Sequence, residues 1–206
     1  MVLTHPHPDH FGGLVSTLPA VEVGELWDTG QGEDLGAGPA YAALLAAARA
    51  RGIPLRRPRD LCGAPRRAGG ATIEVLAPCP GYEPDASAND SSLVLRISYG
   101  SRAALLVGDA EHEEERTLLA GRPGSLRADL LKVGHHGSRT SSGPAFLAAV
   151  RPGLAAISAG VRNRFGHPHP RTLSALAAQG IAVARTDRGG AILWETDGRE
   201  VRVTRP

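Results

Sequence analysis

Aromatic residues are scarce in this chain, at 4% of 206 residues. Apolar residues reach 42%, yet no apolar run approaches the roughly 18 residues that a membrane-crossing helix requires. The first residues are apolar and then run directly into histidines, which is not the pattern of an export signal. On those absences the expectation is a cytoplasmic protein. An excess of charge is also missing. Twenty-three basic residues face 21 acidic ones, for a net charge of +2, short of the strongly basic balance of a DNA-coating protein. The two cysteines, Cys62 and Cys79, lie in Pro-rich surroundings without Cys-x-x-Cys spacing, which argues against a zinc knuckle and leaves a disulfide open. There is no internal repeat. The abundant Ala, Gly, Pro and Arg read as a compositional bias, not as disorder. The length fits a single domain over 1–206 with a substantial core.

What the chain does have is concentrated near its start. Leu3-Thr4-His5-Pro6-His7-Pro8-Asp9-His10-Phe11-Gly12-Gly13 places three histidines and an aspartate in the order His-x-His-x-Asp-His. On an extended or looped backbone, alternate side chains share a side, so His5, His7 and Asp9 fall together and a turn at Gly12-Gly13 brings in His10. Imidazole and carboxylate are the donors that zinc, manganese and iron accept. Four of them are more than one tetrahedral ion takes from a single strand end, so the cluster reads as half of a two-metal site. A solvated polar loop is the alternative, and the order of the cluster directly after an apolar strand end weighs against it.

This motif, followed by Gly-Gly-Leu, resembles the signature of the metallo-β-lactamase superfamily. The resemblance implies an α/β protein of the αββα sandwich type with two metals at one edge. In that superfamily a β-hairpin or more precedes the motif, so the expectation here is a sandwich lacking its first N-terminal strands, with a sheet edge left unpaired.

The remaining pattern is mixed. Helices are expected at 12–18, 39–50, 110–119, 143–150 and 170–178, and strands at 23–27, 71–76, 92–98, 102–107, 130–133, 154–158, 181–183, 191–194 and 201–204. The span 54–70 reads as irregular and 78–89 as a long loop. Such alternation suits a sheet with helices packed outside it.

Further ligands are expected at strand ends. Asp109, after Leu105-Leu106-Val107-Gly108, resembles the superfamily's Gly-Asp motif, whose carboxylate bridges both metals; the alternative is an N-cap of the following helix. Leu131-Lys132-Val133-Gly134-His135-His136-Gly137-Ser138 and Asn163-Arg164-Phe165-Gly166-His167-Pro168-His169-Pro170 resemble a narrower branch, the C-terminal domain of the ComEC competence proteins, which handle incoming DNA. That likeness covers Ala88 to about Leu176, including Asn89-Asp90-Ser91-Ser92. In most branches a lone histidine between the first motif and Gly-Asp completes one metal site, but no histidine lies between His10 and His112 here. His135 is the expected replacement, with His136 outside it, and Asn89 is a weaker candidate. The resulting expectation is His5, His7 and His135 on one ion, Asp9, His10 and His167 on the other, and Asp109 between them. His112 and His169 are expected at the surface.

Two adjacent zinc or manganese ions activate water and stabilise the oxygens of the group under attack. The resemblance, with hydroxyls and arginines near the histidines, points to a phosphodiesterase or nuclease. Its substrate would be single-stranded DNA in competence-type uptake, alone or with a membrane DNA-uptake channel. Asp9 or His136 would move the proton, while Ser138, Arg139, Thr140 and Asn163 would hold the phosphate. The start of the helix at Gly143-Pro144 would add its positive end. The alternatives are a lactamase, thioesterase or lactonase, or an inactive DNA-binding module. If the chain is a piece of a ComEC-type protein, the location would be extracytoplasmic and membrane-associated.

Overall fold

A computed structural model describes residues 1–121 and 123–204. The chain opens with α1 (Pro8–Thr17) and then β1 (Leu26–Trp27), α2 (Gln31–Asp34), α3 (Pro39–Ala50), β2 (Leu55–Arg56), α4 (Pro58–Leu61), β3 (Arg66–Ala68) and β4 (Ala71–Ala77). The hairpin β5 (Val94–Tyr99) and β6 (Arg102–Leu106) follows, then α5 (His112–Gly121), β7 (Leu130–Lys132), α6 (Pro144–Val150) and β8 (Leu154–Ile157). The last elements are α7 (Pro170–Ala178), β9 (Ala182–Arg185), α8 (Thr186–Gly189), β10 (Leu193–Thr196) and β11 (Val201–Thr204).

Seven strands form one sheet in the order β3-β4-β5-β6-β7-β8-β9. Pairing is antiparallel from β3 to β6 and parallel from β6 to β9. The period-2 alternation of its strands divides two cores. Leu76, Val94, Leu105, Leu131 and Ile157 face a core closed by Leu118, Phe146, Leu147 and Leu176 of α5, α6 and α7. Val75, Leu95 and Leu106 face the other way, onto Trp27 of β1 and Leu61 of α4. β1 and β2 form a small parallel sheet, and Val2 bridges to Trp27 beside it. The outer surface of this small sheet is covered by α1 and α3. In α3, Pro39 starts the helix and Tyr41, Leu44, Leu45 and Ala48 repeat at helical spacing, so one face is buried. The layer order is helix, small sheet, large sheet, helix: the αββα sandwich.

Several boundaries differ from the sequence reading. α1 begins at Pro8, so Asp9 and His10 sit in a helical first turn and not on an extended strand end. Pro at the first helical position is favoured because its missing N–H is unneeded there. The span read as irregular, 54–70, holds β2, α4 and β3, elements too short to leave a period in the sequence. The two final strands form a separate hairpin, because its turn docks on the β5–β6 turn: Ser101 N–H and Oγ both donate to Gly198 O, at 2.7 and 2.9 Å. Cys62 and Cys79 are joined by a disulfide that ties the end of α4 to the loop after β4.

The parallel strands explain where a site can form. β6, β7 and β8 all end on the same sheet edge, and antiparallel β5 begins there. Loops at the carboxyl ends of parallel strands form the natural crevice of such a sheet. The stretch after Val2-Leu3 reaches this edge because Leu93 N–H donates to Thr4 O at 2.8 Å.

Candidate metal centre

Asp9, His10, Asp109 and His136 meet at that edge, each with a ligand atom within 4.8 Å of all the others. Asp109 Oδ2 lies 3.3 Å from His10 Nε2 and 3.3 Å from His136 Nε2, and Asp9 Oδ2 lies 3.2 Å from His136 Nε2. His5 adjoins the group, its Nε2 3.8 Å from Asp109 Oδ2 and 3.1 Å from His7 Nδ1. Asp109 therefore stands between the His5–His7 pair and the other donors.

The nitrogens that face one another carry lone pairs. His136 Nδ1 donates to Ser158 O at 2.8 Å, which leaves Nε2 as the unprotonated atom. Thr4 Oγ1 lies 3.1 Å from His5 Nδ1 and 3.2 Å from His10 Nδ1, and one hydroxyl oxygen can accept from both. With hydrogen on both Nδ1 atoms, His10 Nε2 and His136 Nε2, 3.3 Å apart, offer two lone pairs to one cation. Outer hydrogen bonds of this kind fix the tautomer of metal-binding histidines. Two buried polar atoms beside the group, Asn89 Oδ1 and His167 Nδ1, have no partner among the described residues. The donor set fits a divalent metal.

Electrostatics agree. Burial pushes the His5 imidazole down to about 3, with His10 adding to the effect, so it stays neutral. Burial alone would raise Asp109, but the adjacent His10 and His136 imidazoles and the charge of Lys132 hold it far below the usual carboxylate range. A neutral imidazole and an ionised carboxylate are the ligand forms a metal needs. Lys132 is the one lysine in a chain whose other basic residues are arginine. Its Nζ donates to Gly108 O at 2.5 Å and to Asp109 Oδ1 at 3.3 Å. Desolvation lowers its pKa, as expected for a buried ammonium. A compact ammonium fits this buried corner, where a planar guanidinium has a different shape.

Backbone geometry selects which histidine joins. His135, His136 and Gly137 have φ of 43°, 52° and 82°, three successive left-handed residues. Such conformations are costly for non-glycine residues and cluster at functional sites. At Gly137 a Cβ would lie 2.6 Å from Pro168 Cβ, so only glycine fits. This turn sends His136 to Asp109, whereas His135 Nδ1 meets Glu111 Oε1 at 2.6 Å. The sequence reading had the pair the other way round, with His135 as ligand. His167 stands beside His135, with ring centroids 5.5 Å apart.

Asp109 does not cap α5. Asp90 Oδ1 accepts from Glu111 and Glu114 N–H at that helix start, and Asp109 N–H donates to Ser92 Oγ at 3.0 Å. The start of α6 is filled as well, because the Glu115 carboxylate accepts from Ser142 and Gly143 N–H. That helix end holds an internal anion, and the expected phosphate place there is taken. Ser138 and Thr140 bond each other, and Thr140 Oγ1 donates to Glu111 at 2.5 Å. Arg139 is exposed, and Asn163 lines the pocket of about 500 Å³ that contains His7, Asp9, Asp109, His135, His136 and His167. His112 is exposed, as expected, and meets Glu115, and His169 caps α7 by accepting from Arg171 N–H. Thr4, Ser92 and Glu111 were not singled out from sequence. Thr4 and Ser92 carried a signal only as neighbours of motif residues, and Glu111 carried none.

Thr4→Val is expected to weaken divalent-metal affinity by about 10- to 100-fold, the usual effect of losing a partner that orients a ligand. Chelator competition with zinc measures it, and an unchanged affinity in a folded variant would remove the role given to Thr4.

Residues 1–161 match the family described as the metallo-beta-lactamase superfamily. The chain is 36% identical over 200 residues to "ComE operon protein 3" of Bacillus subtilis, covering 97% of this chain and 25% of that protein. It is 40% identical over 104 residues to "Competence protein ComA" of Neisseria gonorrhoeae, covering 50% of this chain and 15% of that one. The chain thus spans a quarter or less of the length of these curated relatives. Among solved structures, the metallo-beta-lactamase fold protein YhfI of Bacillus subtilis is similar with a TM-score of 0.48 and 16% identity, over 98% of this chain and 77% of that one.

Proposed function

This chain belongs to the metallo-β-lactamase superfamily, and from that premise we propose that it is a two-metal phosphodiesterase that cleaves single-stranded DNA during competence-type uptake. The observation that carries the reading is the donor group Asp9, His10, Asp109 and His136, with His5 and His7 beside it, opening onto a crevice lined by Asn163, whose loop also carries the exposed Arg162 and Arg164. Likeness to two competence proteins supports the choice of DNA.

In this reading Asp9, His10 and His136 would hold one ion and His5 and His7 the other, with Asp109 placed beside both sets. Asn89, through its unpartnered Oδ1, and His167 complete the set. When bound, two divalent ions such as zinc or manganese supply Lewis-acid activation of water and of the phosphoryl oxygens. The protein's own groups do the rest. Lys132 offsets the charge of Asp109 and fixes its orientation. Asp9, with its side chain 63% exposed, is the carboxylate placed to carry a proton from the attacking water to solvent. The arginine forks of Arg162 and Arg164, exposed on the loop that carries Asn163, match phosphate oxygens. His135, held at Nδ1 by Glu111, keeps its other ring nitrogen for the crevice it lines.

Residues 1–206 act in this reading as one catalytic domain. The Cys62–Cys79 disulfide supports an extracytoplasmic setting, since such bonds persist in oxidising compartments. Both thiols free to alkylation in cells would remove that support.

The test combines metal content with turnover. Purified protein is expected to bind about two divalent ions, as two-metal hydrolases do, and to degrade labelled single-stranded DNA in manganese. Bound metal with intact DNA, but turnover of a chromogenic lactam or thioester, would replace the nuclease reading with a small-molecule hydrolase.

A further inference from the structure

We infer that Phe165 is a stacking platform for one unpaired base of the strand whose phosphate lies at the metal centre, which makes the loop 159–166 a selector for single strands. The inference rests on the phosphodiesterase reading and gives its substrate a conformation.

The chain hides its other phenylalanines, with Phe11 and Phe146 at 3% and 1% exposure. Phe165 is 69% exposed, and Val161 on the same loop is 77% exposed. A single exposed apolar residue is ordinary. This one lines the crevice that contains His135, His136 and His167, so its position has chemistry beside it. Its ring lies nearly parallel to His167, 18° between planes and 5.9 Å between centroids, so a stack has already begun and the exposed ring can extend it.

The loop is fixed rather than loose. Asn163 Nδ2 donates to Gly160 O and His167 O at 3.0 and 2.7 Å, and its Oδ1 accepts from His167 N–H at 2.9 Å. Thr186 Oγ1 holds Ala159 at both its N–H and its carbonyl. A platform held in place loses little freedom when a base arrives. The Arg164 guanidinium lies over the Phe165 ring, 5.3 Å from its centroid, and turns to a flanking phosphate as a base takes that face, while Arg162 is exposed on the same loop. An aromatic ring for a base with arginines for the flanking phosphates is the combination that binds single strands without sequence preference. In a duplex the base faces are stacked on their neighbours, so the ring would have nothing to take.

The test compares the parent with Phe165→Ala and Phe165→Trp on a single-stranded oligonucleotide, an abasic strand of equal length and a duplex. Phe165→Ala is expected to lose about 5- to 150-fold in kcat/KM on the base-bearing strand, mainly through KM, as loss of one base stack predicts. The abasic strand should be unaffected, and Phe165→Trp should restore the rate. Tryptophan fluorescence of Phe165→Trp should be quenched by the unlabelled oligonucleotide but not by the abasic strand, a readout independent of turnover. If the parent cleaves DNA but Phe165→Ala matches it, loses equally on the abasic strand, or if duplex is cut as fast as single strand, the inference fails alone. A parent that neither binds nor cleaves any strand overturns the nuclease reading along with it.

Discussion

Replacing Asp109 with asparagine is expected to lower cleavage of single-stranded DNA by about 10³-fold, the several kcal/mol of charge stabilisation that metal ions supply. Bound metal per chain should fall with it. The reason is position. Oδ2 of this one carboxylate lies 3.3 Å from both His10 and His136 and 3.8 Å from His5, so it is the group shared by both halves of the donor set. An amide of the same shape removes the negative charge that, on the two-metal proposal, would hold two cations near each other. Asparagine is preferred to alanine because Asp109 is 2% exposed and pairs with partly buried Lys132. Alanine would leave that ammonium without its partner, a loss worth about 3–5 kcal/mol at buried pairs, and would confuse unfolding with lost chemistry. Metal analysis, turnover and circular dichroism on the same sample separate these effects. A folded Asp109→Asn protein with parental metal content and rate would remove Asp109 from the centre.

Phe11→Ala is expected to have the largest effect on stability, a loss of about 3–5 kcal/mol for a buried phenylalanine. Phe11 is the buried residue of α1 and packs edge-to-face on Tyr41 of α3, with centroids 5.6 Å apart. Tyr41 in turn donates its hydroxyl to Asp28, which also accepts from Arg57 at 2.6 Å. Burial, with the neighbouring Asp28 carboxylate, pushes the Tyr41 phenol far up, so this hydroxyl remains a donor. The change therefore loosens the seat of the helix whose first turn carries Asp9 and His10. In a thermal melt the midpoint should drop by roughly 6–20 °C for a chain of this size. Metal affinity should fall too, because Phe11 directly follows His10 and the donors lose their common support. An unchanged melting temperature would mean that α1 is held by other contacts.

Much of this protein was readable in order of residues. The His5–His10 motif, Gly108-Asp109 and the two later histidine segments each name their chemistry through residue type and spacing, and spacing along the chain is what a sequence records. The central strands and the helices α3, α6 and α7 were equally plain, because their apolar periods follow directly from burial of one face. The short elements β2, α4 and β3 left no period, since two to four residues cannot show one.

The chain therefore determined by itself its superfamily, its layered α/β architecture and the set of residues available as metal donors. Which donors meet was decided in three dimensions. Adjacent His135 and His136 are chemically identical, and only the left-handed turn, closed by Pro168 against Gly137, sends one to Asp109 and the other to Glu111. The same holds for Thr4, Ser92 and Lys132, which reach the centre from the N-terminal segment, the loop before β5 and the end of β7. Their roles rest on distances of about 3 Å between residues up to 87 positions apart in the chain, and such proximity is fixed by strand register and packing.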